Sequence, residues 1–100
     1  MGKDSEKDIG HWRVKIDELD DRLLELFNHR AGYALEIGKI KRLASAPVYC
    51  PERENQIYAH VRQANPGPLS DGAISRLFER IIDETRRLER EHTEGDENGH

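Results

Sequence analysis

One pattern governs what this chain can become. Ile9, Trp12, Ile16, Leu19, Leu23, Leu26, Arg30, Tyr33, Ile37, Ile40 and Ala44 recur three and four residues apart without a slip. That spacing is a heptad seam, the signature of an α-helix whose apolar stripe lies against another helix. No proline interrupts it, and Gly32 and Gly38 each cost a helix only about 1 kcal/mol relative to alanine. The spacing predicts one helix from about residue 6 to 44.

The rest of the chain is punctuated by proline. In "SAPVYCP", Pro47 and Pro51 disfavour helical geometry in the residues before them. Pro51 suits the first position of a second helix, with Glu52 in its first turn. That helix runs to about Ala64, with Ile57, Val61 and Ala64 facing inward. "NPGPL" is a turn, Ser70 is a good N-cap, and Leu69 is placed to staple against Ile74. A third helix follows to about residue 91, apolar at Ile74, Leu77, Phe78, Ile81, Ile82 and Leu88. The expected organisation is a flexible segment over 1–8, one domain over 9–91 and a flexible polar tail over 92–100. No strand, repeat or second domain is signalled, so the fold class is all-α with three helices.

A helix of about 38 residues is roughly 57 Å long. Two shorter helices of the same chain do not cover such a seam, and a second copy of the long helix is the simplest partner. Composition agrees. Only 35% of residues are apolar and 36% are charged, a thin inventory for a lone domain of this size. The expectation is a homodimer. A net charge of −4 argues against a nucleic-acid partner. No apolar run reaches membrane length, and "MGKDSEKD" lacks the apolar stretch of a secretory leader. The single cysteine, Cys50, excludes an internal disulfide and fits a reducing cytoplasm.

Polar groups interrupt the inward face of all three helices. Arg30 occupies a seam position, and Lys41 lies eleven residues further on, close to three turns away on the same face. Arg53 and Glu54 lie just before Ile57, and Thr85 and Glu89 continue the stripe of Ile74, Phe78 and Ile81. Singly, each reads as a side chain whose stem covers apolar surface while its head reaches water. Together they leave more buried cations than carboxylates to match them, which is costly without a ligand. An anionic ligand resolves the surplus. Arg13 falls in the heptad column of Lys41 but four heptads away, so sharing one small ligand with it requires a second, antiparallel chain.

These residues carry a resemblance. "WRVKIDELDDRLLELFNHR", "IGKIK", "PERE" and "RLFERIIDETRRLE", in that order across residues 9–91, resemble the all-helical class of chorismate mutases. The "YCPERE" and "NPGPL" phrasing is similar to the mutase domains fused to prephenate dehydratase, with no dehydratase sequence in these residues. The resemblance implies three helices per chain intertwined as a homodimer. It also implies the Claisen rearrangement of chorismate to prephenate, with no metal or cofactor. By the same resemblance, Arg13 from the partner chain and Arg30 grip the two substrate carboxylates. Lys41 donates to the ether oxygen and a carboxylate, and Arg53 adds to the pocket electrostatics. Glu54 accepts from the ring hydroxyl, Thr85 assists a carboxylate, and Glu89 holds the second donor position at the ether oxygen.

Two positions depart from the family pattern. Many members carry Gln where this chain has Glu89, and Glu donates only when protonated, so activity is expected to fall as pH rises. Burial and substrate charge raise its pKa while Lys41 lowers it, and the sequence gives no sign for the sum. Some members carry an acidic residue at Cys50, which reads here as structural because no base stands beside it. Trp12 and Tyr33 read as seam packing, the five histidines lack metal-ligand spacing, and "ETRRLERE" reads as a solvated face with i,i+4 pairing. Isochorismate-pyruvate lyase shares this fold but places an apolar residue where Glu54 stands. A non-catalytic helical dimerisation or regulatory module is the alternative outside enzymes.

Overall fold

A computed structural model describes the backbone of residues 2–47 and 49–98, and the side chains of 8–47 and 49–92. Three helices follow one another: α1 (Gly2–Leu43), α2 (Pro51–Ala64) and α3 (Asp71–Asn98). Among the described residues there is no strand, and no helix is long and apolar enough to cross a membrane. The chain divides into two units, Met1–Arg30 and Ala31–His100, with the division inside α1.

The seam reads through as one helix, and α1 starts earlier than the apolar pattern requires. Its C-terminus is closed by backbone geometry, before either proline acts. The Ala46 N–H donates to the Lys41 carbonyl at 2.8 Å and the Ser45 N–H to the Arg42 carbonyl at 3.1 Å. Ser45 takes the left-handed conformation at φ 55°. This is the paired-bond C-cap that usually employs glycine.

Pro51 stands at the start of α2, as its fixed φ favours. Cys50 is the N-cap, extended at φ −134° and without a side-chain capping bond; its carbonyl accepts from the Glu54 N–H at 3.2 Å. Asn65 builds the next turn. Its side-chain amide donates to the Leu69 carbonyl at 2.8 Å and to Asp71 Oδ1 at 2.9 Å, while its oxygen accepts from the Gly67 N–H at 3.1 Å. Gly67 sits at φ 73°, where a side chain would be strained. Ser70 caps α3, its Oγ accepting from the Ala73 N–H at 3.1 Å.

In the second unit α2 packs on α3. Ile57, Tyr58 and Val61 are half-buried on α2, as are Ile74, Phe78 and Ile81 on α3, and Ile82 is buried. Buried Ser75 is satisfied by Arg62, whose Nε donates to its Oγ at 2.8 Å. Two residues expected inward, Ala64 and Leu77, are exposed in the single chain, because each lies at the flank of its stripe. Leu69 is exposed too. α3 also outruns the expected end at residue 91, its backbone staying helical to Asn98. No proline stops it, and Gly95 alone is a weak breaker. The flexible ends expected at 1–8 and 92–100 lie largely outside the residues whose side chains are described.

The described residues of the first unit all belong to α1. Its seam is uncovered: Ile9, Trp12, Ile16, Leu19, Leu23 and Leu26 are all exposed. Trp12 and His11 meet edge to face, ring centroids 5.0 Å apart. On the α1 residues of the second unit, Tyr33 is 72% exposed, so in one chain both aromatics lie on the open seam that the expected second chain would cover.

Candidate active site

Three of the seven residues singled out in the sequence, Lys41, Glu54 and Glu89, engage groups on another helix within the second unit. Glu89, three turns beyond Phe78 on α3, is half-buried over the last turns of α1. Gly38 is buried there, and a Cβ added to it would stand 3.9 Å from both Cγ and Oε2 of Glu89. Lys41, one turn on, is half-buried. Its charge acts on Glu89. Burial raises the Glu89 pKa above the ordinary carboxylate value, while Lys41 and then Arg86 pull it down. Burial wins, so the protonated form of Glu89 is favoured relative to a carboxyl in water.

Glu54 faces α3 from the first turn of α2 and is engaged by Arg86, whose Nη2 forms an ion pair and hydrogen bond with Glu54 Oε2. Both are largely shielded, Glu54 at 20% and Arg86 at 32% side-chain exposure. The Arg86 guanidinium also lies over the Tyr49 ring, 4.9 Å from its centroid, a cation–π geometry. Thr85 is half-buried, and its hydroxyl donates back to the Ile81 carbonyl at 2.7 Å.

Arg53 behaves differently. It is exposed, with Nη1 3.5 Å from Gln56 Oε1. Successive helical residues are about 100° apart, so with Glu54 turned to α3 its neighbour turns away. Arg13 is exposed and Arg30 half-buried, both in the first unit. Cys50 is half-buried and takes part through its backbone, as the cap of α2.

Arg86 is the residue that sequence reasoning missed. It sits in the run assigned to a solvated face, and that assignment holds for Glu84 and Arg87, both exposed and 3.9 Å apart at i,i+3 spacing. Arg86 instead reaches across to another helix. A signal existed: Glu54 on an inward edge needs a cation, and Arg53 is too close in sequence to supply it.

The site thus holds a lysine beside a carboxyl tilted toward its neutral form, an acceptor carboxylate held by arginine, and a hydroxyl. Such a set can donate hydrogen bonds and positive charge to an anion. The family model for chorismate mutase type II matches residues 12–90. The bifunctional chorismate mutase/prephenate dehydratase of Pseudomonas aeruginosa is 40% identical over 82 residues, covering 77% of this chain and 22% of that protein. The chorismate mutase of Methanocaldococcus jannaschii is 31% identical, covering 86% of this chain and 88% of that one. Among solved structures, chorismate mutase (form II) from Thermus thermophilus superposes with a TM-score of 0.80. It is 32% identical and covers 82% of this chain and 93% of that one. The chain therefore spans less than a quarter of the bifunctional relative and nearly all of the shorter ones.

Proposed function

Because this chain belongs to the chorismate mutase type II family, we propose that it rearranges chorismate to prephenate, in the route to phenylalanine and tyrosine. The observation that carries the reading is half-buried Glu89 lying against Gly38, one turn of α1 before Lys41, whose charge acts on it. The rearrangement is intramolecular and uses no nucleophile. The C–O bond breaks ahead of C–C bond formation, and negative charge gathers on the ether oxygen. Catalysis then consists of holding a dianion in its folded conformer and placing donors where charge develops. Lys41 supplies a point charge there and protonated Glu89 a neutral donor.

The remaining residues take the family's roles. Arg30 and, from a second chain, Arg13 grip the two carboxylates, for which a planar guanidinium is suited. Arg53 adds positive potential, and Glu54 accepts from the ring hydroxyl. Thr85 has one O–H to give, so assisting a carboxylate requires it to leave the Ile81 carbonyl. The proposed enzyme is an intertwined homodimer. The exposed seam of α1 supports that, since each buried Leu or Ile side chain is worth about 1.5–3 kcal/mol. A cytoplasmic setting fits the lone Cys50 and a substrate made inside cells.

Incubating the purified protein with chorismate and following loss of its absorbance tests the reading. Turnover is expected for the wild type, and Lys41→Ala should lower kcat by about 10²–10³ while changing KM little. A wild type that leaves chorismate unchanged would overturn the reading, and a Lys41→Ala protein with normal turnover would overturn the role given to Lys41.

A further inference from the structure

Arg86 belongs to none of the groups assigned above, yet it ties three parts of the second unit together. Its side chain leaves α3, forms an ion pair with Glu54 on α2, and covers the ring of Tyr49 in the segment that leads into α2. Its other nitrogen, Nη1, is 3.9 Å from Asp83 on its own helix. Exposed ion pairs on one helix face are common and do little. This one joins two helices, is shielded on both sides, and uses the planar fork twice, once in its plane and once on its face.

The contact engages one oxygen of Glu54, Oε2. An ionised carboxylate has acceptor capacity on both oxygens, so Oε1 keeps the ability to accept while the group as a whole is held still. A carboxylate shielded to this degree without a cation would turn toward water. We propose that Arg86 is a positioning residue for substrate binding: it holds Glu54 by one oxygen and presents the other to the substrate's ring hydroxyl. This rests on the role given to Glu54 above.

A double-mutant cycle on the full chain with chorismate as the probe tests it. Arg86→Met keeps the stem and removes the fork. It should raise KM about tenfold with kcat changed less than about threefold, because the ring hydroxyl is held before and during the reaction alike. Glu54→Ala should raise KM similarly. Adding Arg86→Met to Glu54→Ala should then cost less than about twofold more, since the residue acts through its partner. Equal losses in both backgrounds, or an unchanged KM in Arg86→Met, would overturn the proposal. Arg86→Lys keeps the charge and guards against a misfolded Met variant. Partial recovery of KM is expected from it, and full recovery would show that charge alone suffices and the fork positions nothing. A wild type inactive on chorismate would remove the functional reading and this inference with it. An active wild type with an indifferent Arg86 would remove this inference alone.

Discussion

At Glu89, two influences of opposite sign meet on one carboxyl group. Burial raises its pKa and the charges of Lys41 and Arg86 lower it, with burial the larger. In its proposed role as donor at the ether oxygen, Glu89 must carry its proton, which places activity in the pH range below the raised pKa. As pH climbs through that value the ionised group repels the charge developing in the transition state. We expect kcat/KM to fall with rising pH in the wild type and to stay flat in Glu89→Gln, whose amide donates at every pH. Profiles from pH 5 to 9 check this, and superimposable curves would remove Glu89 from the donor role. That Lys41 and Glu89 each turn inward was legible in the sequence, because both fall on apolar stripes; that they stand together was implied only by the family resemblance. The sign of the shift was not legible, since depth of burial depends on how α1 and α3 meet. Arg86 was hidden for a related reason: helical spacing encodes partners three or four residues away, and Glu54 is 32 residues away.

At the scale of elements, the end of α1 decides where Lys41 stands. The Lys41 carbonyl is the acceptor of the capping bond from Ala46, so the cap and the catalytic candidate share a residue. The left-handed residue in that cap is Ser45. A side chain there costs about 1–2 kcal/mol, while glycine gives back part of the gain through the unfolded chain. Ser45→Gly should therefore stabilise the protein by about 0.5 kcal/mol, read as a higher midpoint in urea with an unchanged slope. A lower midpoint would show that Ser45 is not held in that conformation. The prolines of "SAPVYCP" announced the break, and Pro51 marked the start of α2. The residue that turns the chain went unread because serine is rarely chosen for it. Asn65 escaped notice likewise, since its three bonds exist only once the loop has closed.

For the whole molecule, the seam is the governing fact. It was the plainest signal in the sequence, and in one chain it lies open. If a second chain covers it and brings Arg13 to the partner's Lys41 site, two inactive proteins should complement each other. In an exchanged mixture of Arg13→Ala and Lys41→Ala, each heterodimer has one site with both lesions and one with neither. About a quarter of wild-type activity is expected from random pairing of equal amounts. Verified exchange without recovery would show that sites are not shared. The open seam has one further consequence. If a second copy covers that seam, the chain has no fixed stability of its own: its folded fraction follows mass action and declines on dilution. The number of copies a cell holds then becomes, in effect, a parameter of the fold.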